Sequence, residues 1–169
     1  MVDSTYYKSG GPIFLYIGGE VSLEDLVNHF SLRSIFGTFN KRFNGLGIIL
    51  EDRYYGGSQP YDSTTTDQLT YMTTEQTIAD IQDFALHVKL PGFSGINAPR
   101  QPWIMYGVSL AGARVAFTMR TYGNVLYAGI SSSALIRGVH AYPEWLVLQC
   151  YIIIIEYSYF AADSSCAQV

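Results

Sequence analysis

The chain has 169 residues, which is enough for one ordinary domain with a sizeable core. Its apolar fraction of 49% excludes the disordered class, and a net charge of −4 with scattered Lys and Arg argues against nucleic-acid binding. Only 14% of the residues are charged, against about 25% in a typical globular protein. We therefore expect part of the surface to lie beneath another part of the protein.

The cysteines and the apolar runs limit the further possibilities. Cys150 and Cys166 could form one disulfide, pair with residues elsewhere or remain free, and the paired and unpaired states stay equally open. The absence of a Cys/His cluster predicts no metal site, and no cofactor is expected. Residues 1–7 lack the charged and apolar regions of a signal peptide. The apolar-rich run 145–155 is much shorter than the roughly 20 residues of a membrane span, so no membrane segment is predicted.

The first predicted elements form a strand–helix–strand unit. Residues 13–17 are an unbroken apolar run between Gly11-Pro12 and Gly18-Gly19, as is typical of a strand buried on both faces. Ser22 with the acidic residues after it predicts a helix start, and the next strand is predicted at 46–50. The apolar stripe of that helix is expected to comprise Leu23, Leu26, Val27 and Phe30.

A polar segment and a second helix follow. Residues 56–72 are rich in Gly, Ser, Thr, Asp and Tyr, which predicts a surface loop. Thr73 and Gln76 have the spacing of a capping box, and Pro91-Gly92 predicts the end of the helix. The predicted buried face consists of Ile78, Ile81, Ala85 and Val88.

The segment around Ser109 has the pattern of a nucleophile elbow, in which a strained strand-to-helix turn lifts a serine hydroxyl above a parallel sheet. A strand is predicted at 103–106 and a helix at 110–122. The usual pattern is Gly-x-Ser-x-Gly; here Gly107 occupies the first position and Ala111 the last. A further strand is predicted at residues 126–130. The alternation of strands and helices predicts an α/β fold.

A serine nucleophile also needs an oxyanion hole and a base. The backbone N–H of Leu110 is the first expected oxyanion donor, and the Gly18-Gly19 turn, with Gly19 foremost, is the second. The alternative for the two glycines is a tight turn without a catalytic role. For Ser109 itself, the alternative is a buried turn serine in a non-catalytic layer.

The histidines do not complete a catalytic triad. His29 and His87 are expected at solvated helix positions. His140 and Asp163 follow Ser109 in the order Ser, His, Asp, whereas this hydrolase layout requires Ser, Asp, His. The sequence therefore predicts a nucleophile whose base and acid are not among these residues.

Several blocks, in order and at matching spacing, resemble the prolyl carboxypeptidase and dipeptidyl peptidase II family, and most closely its fungal secreted branch. Residues 6–20 resemble the first-strand block of that family, and residues 43–60 resemble its Glu-His-Arg-Tyr-Tyr-Gly-x-Ser block with Asp52 in place of histidine. Residues 69–80 and 130–134 resemble the following helix and the Ala-Ser-Ser-Ala-Pro block.

The resemblance implies a partial α/β-hydrolase fold, with residues 1–140 in the catalytic domain and 141–169 beginning an inserted helical cap. It implies a serine peptidase that cleaves peptides at proline, as a carboxypeptidase or a dipeptidyl peptidase, in a secreted or vacuolar/lysosomal setting. Ser109 matches the family nucleophile, whereas the family's Asp and His lie beyond residue 169. We therefore expect this chain to hydrolyse little alone.

Three departures from the family pattern lie near the site, at Asp52, Leu110 and Ala111. They keep two alternatives open: a lipase or esterase of the same fold, and a catalytically inactive binding protein. Residues 53–55, Arg-Tyr-Tyr, either buttress the loop beside the active site or hold a buried charge pair between Arg53 and Glu51 or Asp52.

Overall fold

A mixed five-stranded sheet organises the computed structural model, which describes residues 1–138. The strand order is β1-β3-β2-β4-β5; β2, β3, β4 and β5 are parallel, and the short β1 is antiparallel to β3. The strands are β1 (Val2–Asp3), β2 (Ile13–Ile17), β3 (Leu46–Leu50), β4 (Trp103–Val108) and β5 (Ala128–Ser132). The predicted α/β class is confirmed.

Helices connect the parallel strands. They are α1 (Leu23–Leu26), α2 (Ile35–Phe43), α3 (Thr74–His87) and α4 (Leu110–Tyr122), together with 3₁₀ helices at Val27–Phe30 and Thr66–Tyr71. Residues 1–136 form one compact unit. Within residues 1–138, no helix is long and apolar enough to cross a membrane.

The sheet is covered on both faces, which explains why β2 is an unbroken apolar run. Successive side chains of a strand point to opposite faces. Ile13, Leu15 and Ile17 pack in one buried cluster with residues of α3 and α4, whereas Phe14 and Tyr16 pack in a second cluster with residues of α1 and α2. The two faces thus have separate cores.

The connection between β2 and β3 differs from the prediction. The single predicted helix after Ser22 is wrong: α1 ends after one turn, a 3₁₀ turn follows, and α2 is a separate helix that the apolar pattern did not reveal. The hydroxyl of Ser34 accepts a hydrogen bond from the Gly37 N–H at 3.0 Å, which gives α2 its own N-cap. Val27 is 50% exposed, so it does not belong to the buried apolar stripe predicted from the sequence.

Later elements follow their predictions with local changes. Thr73 caps α3 by accepting from the Gln76 N–H at 3.1 Å, but the Gln76 side chain donates to Asp80 at 2.9 Å, so the predicted capping box is half formed. The predicted loop 56–72 contains the second 3₁₀ helix. β5 begins two residues later than predicted because Leu126 still bonds back to Tyr122 at the end of α4.

Several predictions fall on residues 139–169, which lie outside the described residues. They concern His140, Asp163, Cys150 and Cys166, together with the start of the cap at residue 141. These remain predictions from the sequence.

Candidate active site

Ser109 lies at the junction between β4 and α4, as the elbow pattern predicts. Its backbone has φ 58° and ψ −123°, a left-handed conformation that a non-glycine residue adopts only when its surroundings impose it. Ser109 is exposed at the carboxyl edge of the sheet. Although it occupies the N-cap position of α4, its hydroxyl makes no capping hydrogen bond within the described residues. The hydroxyl is therefore presented at the surface rather than used to hold the helix.

Small residues bring β4 and α4 close together around Ser109. A Cβ atom built on Gly107 would lie 2.5 Å from the carbonyl oxygen of Ala111, and one built on Gly112 would lie 2.6 Å from the carbonyl oxygen of Ser132. Both obstacles are backbone, which cannot move aside as a side chain can. Ala111, which replaces the last glycine of the usual pattern, is 3% exposed and has room for its methyl group.

Backbone hydrogen bonds hold the turn itself. The N–H of Ser109 donates to the carbonyl of Ser132 at 3.1 Å, and the carbonyl of Ser109 accepts from the Ala113 N–H at 3.0 Å. The next N–H groups, beginning with that of Leu110, belong to the first turn of α4, whose amides have no partner four residues earlier in the helix. Donors of this kind suit an anion that develops beside Ser109.

The Gly18-Gly19 turn lies beside the elbow. Gly19 has φ +75°, and a Cβ atom built on it would lie 3.5 Å from the Cβ of Ala111. The N–H of Gly18 donates to the carbonyl of Leu50 at 2.9 Å, which fixes the end of β2 to the end of β3. The structure thus brings together the two segments that the sequence proposes for the oxyanion hole. Their role as donors stays a prediction.

Both histidines within residues 1–138 have hydrogen-bond partners other than Ser109. His29 is half-buried against Tyr16, with 4.4 Å between the ring centres and 3.3 Å between Nε2 and the Tyr16 hydroxyl. Burial lowers the pKa of His29. The predicted solvated helix position is therefore wrong for His29, because the 3₁₀ turn directs its ring onto the sheet. His87 is exposed and lies 2.8 Å from Asp83, as a solvated position implies.

The charged residues after β3 pair differently from the prediction. Arg53 does not pair with Glu51 or Asp52: its guanidinium donates to Asp80 of α3 through two bonds of 2.8 and 2.6 Å. Hydrogen bonding to Asp80 raises the pKa of Arg53. Asp52 is buried and forms an ion pair with Arg114 of α4.

Sequence reasoning missed Arg114 and Asp80 as partners of these residues. Arg114 is the only charged residue among the small and apolar residues at the start of α4. Asp80 lies in the middle of α3, 27 residues after Arg53. A lone charge within an apolar helix start was the one available signal for Arg114. No metal-binding group of three or more His, Cys, Asp or Glu side chains occurs within residues 1–138.

A family model described as serine carboxypeptidase S28 matches residues 1–169, which is the whole chain. The chain belongs to the S28 serine carboxypeptidase family. This match confirms the family resemblance that the sequence blocks indicate. Ser109 carries the elbow pattern identified in the sequence, and its role as nucleophile stays a prediction.

Individual relatives agree with this family. The chain is 38% identical over 145 residues to a probable extracellular serine carboxypeptidase of Arthroderma benhamiae, covering 85% of this chain and 20% of the relative. It is 29% identical over 139 residues to the lysosomal Pro-X carboxypeptidase of Pongo abelii, covering 79% of this chain and 26% of the relative. It is 29% identical over 143 residues to the human thymus-specific serine protease, covering 85% of this chain and 27% of the relative. The chain thus spans only about a quarter or less of the length of these S28 relatives.

Proposed function

We propose that Ser109 is the nucleophile of a serine exopeptidase of the α/β-hydrolase type. The observation that carries the proposal is the backbone of Ser109, which is left-handed in a non-glycine residue and leaves an exposed hydroxyl at the carboxyl edge of the sheet. Such strain concentrates at functional sites, where the fold around the residue maintains it. The order strand, strained serine and helix is the arrangement of a nucleophile elbow.

The chemistry follows from this arrangement. The Ser109 oxygen attacks a peptide carbonyl carbon, the N–H groups of Leu110 and Gly19 stabilise the oxyanion, and the amine leaves as an acyl ester forms. Water then hydrolyses the ester. A histidine must take the serine proton and pass it to the amine. We infer that this base comes from outside residues 1–138, since His29 and His87 are engaged elsewhere.

The substrate class is a peptide containing proline. Its support is the sequence resemblance to proline-specific peptidases and the Pro-X carboxypeptidase among the relatives. The same reasoning assigns residues 1–140 to the catalytic domain and 141–169 to the start of its cap. The words "extracellular" and "lysosomal" in the relatives' names support a secreted or vacuolar/lysosomal setting.

The role of Ser109 can be tested by covalent labelling. We expect a fluorophosphonate probe to label the 169-residue chain slowly, and the Ser109→Ala variant not at all. Ser133→Ala is the matched control, because Ser133 is also exposed with a positive φ at the same sheet edge. Equal labelling of the wild type and Ser109→Ala would contradict the proposal and favour an inactive binding protein.

Substrate panels test the reaction class. Without its base, a serine peptidase keeps only the residual catalysis of its oxyanion hole, so hydrolysis of Pro-X peptides by this chain should be close to background. Robust Ser109-dependent cleavage of such peptides would overturn the expectation that the base is missing. Ser109-dependent cleavage of simple esters with no cleavage of Pro-X peptides would favour the lipase or esterase.

A further inference from the structure

A buried ion pair joins the elbow helix to a strand that is not its neighbour. The carboxylate of Asp52 and the guanidinium of Arg114 are in contact, and the two residues are only 3% and 8% exposed. Asp52 follows β3 by two residues, and Arg114 lies one turn into α4. Neither residue has a place in the chemistry described above.

The pair spans the strand that carries the glycine turn. In the sheet, β2 lies between β3 and β4, and Gly18-Gly19 follows β2 directly. On one side, the end of β2 is tied to β3 by the hydrogen bond from Gly18 to Leu50. On the other side, Gly19 lies beside Ala111 of α4. The ion pair therefore closes a ring that runs from the end of β3 through the glycine turn to α4.

We propose that the Asp52–Arg114 ion pair is a positioning pair, which sets the N-terminus of α4, and with it Ser109 and Leu110, against the Gly19 turn. The proposal rests on the proposed role of Ser109. Asp52 and Arg114 do not touch the substrate in this account. They act through the backbone of the helix.

The chemistry of the pair favours positioning over stability. Replacing a buried ion pair by apolar residues of similar volume is often neutral or stabilising, so such a pair is weak evidence for a purely stabilising role. The pair is a single contact between Arg114 Nη1 and Asp52 Oδ2, and it ties α4 to the end of β3 at one point. Arginine adds a planar fork of donors that lysine lacks.

A second carboxylate, that of Glu20, acts on Arg114 through its negative charge. Burial lowers the pKa of Arg114 and the negative charge of Glu20 raises it; the guanidinium remains a cation at any ordinary pH. Glu20 directly follows Gly19 in the chain. The carboxylates that act on Arg114 thus follow the ends of β3 and β2.

A misplacement of about 1 Å lowers a reaction rate on the order of 100-fold, so a pair that fixes the two donors relative to the serine has a measurable effect.

The test uses the 169-residue chain with ¹⁵N labelling. The main variant is the double substitution Asp52→Leu with Arg114→Met, which leaves no charge unpaired. The matched control is Arg53→Met with Asp80→Leu, which removes the neighbouring ion pair to α3 instead of α4.

We expect the double variant to unfold at the wild-type temperature or above, while the amide resonances of Leu110 and Gly19 shift. Its fluorophosphonate labelling should slow by about tenfold or more. The control should leave both resonances and the labelling rate unchanged. Arg114→Lys keeps the charge but loses the fork, and it should shift the same resonances by less.

Unchanged Leu110 and Gly19 resonances in the folded double variant would overturn the proposal. If the double variant does not fold, Arg114→Lys decides in the same way. If the wild type is not labelled at Ser109, the proposed nucleophile fails, whereas the resonances still decide whether the pair positions the turn. Shifts of equal size in the control would also overturn it, because they would show a general effect of losing an ion pair.

Discussion

Two turns at the carboxyl edge of the sheet are held in different ways. In the elbow, residues 107–112, backbone contacts do the holding: Gly107 and Gly112 allow β4 and α4 to approach, and the Ser109 hydroxyl is left exposed. In the β3 loop, residues 51–60, side-chain bonds to other segments add to the backbone hydrogen bonds within the loop.

The β3 loop shows how much bonding its side chains provide. The carboxylate of Glu51 accepts from the Leu23 N–H at 2.8 Å, Arg53 forms its two bonds with Asp80, and the Tyr54 hydroxyl donates to the carbonyl of Gln68 at 2.7 Å. Each of these side chains forms hydrogen bonds that hold the loop against other parts of the fold. The difference teaches that a turn which must present a reactive side chain is shaped by its backbone and its small residues.

The largest effect should come from adding bulk to the elbow. We expect Gly112→Val to cost about 3 kcal/mol of unfolding free energy, because its side chain meets the backbone carbonyl of Ser132. Gly57→Val in the β3 loop is the control, since a Cβ built there has only an ordinary contact of 3.8 Å with Glu51. Urea denaturation of both variants measures the difference. Equal costs would show that close backbone approach does not distinguish the two turns.

A smaller effect should follow when the β3 loop loses its charged acceptor. We expect Glu51→Gln to cost about 2 kcal/mol, the value typical of hydrogen bonds to a charged group. Burial raises the pKa of Glu51, but hydrogen bonds from Ser58, Leu23 and Gly57 together bring it below the usual 4.5.

The contribution of Glu51 should therefore depend on pH in a defined direction. Because its pKa is lower in the folded state, the stabilisation is fully present above about pH 4.5 and is lost as the pH falls through the folded pKa. Thermal unfolding midpoints of wild type and Glu51→Gln, measured from pH 7 downward, should converge in acid. A constant gap across this range would contradict the assignment.

The smallest effect should have the opposite sign. Replacing the strained serine by Ser109→Gly should raise the unfolding free energy by about 1 kcal/mol, because glycine adopts a positive φ without steric cost. Asn44→Gly is the control: Asn44 has φ 52° at the end of α2 and tolerates that conformation as an asparagine. Thermal unfolding compares the two variants. A loss of stability in Ser109→Gly would mean that its side chain holds the turn, as those of the β3 loop do.

The sequence predicts the parts of this fold that depend on residues close together along the chain. Short apolar runs mark β2, β3 and β4, and the small residues around Ser109 mark the elbow, because strand burial and close approach both leave a local pattern. The helix α2 was missed because the connection between β2 and β3 was interpreted as one helix, although Phe36, Phe39 and Phe43 have helical spacing.

Pairings between distant segments could not be predicted in the same way. Arg53 pairs with Asp80 rather than with the nearby Glu51, and Asp52 pairs with Arg114. Both pairings arise because folding brings α3 and α4 over the end of β3. No local pattern records which of several carboxylates a guanidinium will meet. The half-buried position of His29 has the same origin, since it depends on the broken helix after β2.

The strand order has a topological consequence for ligand binding. From β2 the chain moves to β3 on one side, and it later returns to β4 on the other side before continuing to β5. The two connections leave in opposite directions and cover opposite faces, the arrangement that in open α/β sheets places ligand binding at the carboxyl ends of the strands where the order reverses. Gly19, just after β2, and Ser109, just after β4, lie on either side of this point. Connectivity alone thus selects one place along this edge for a bound molecule, independently of any side chain.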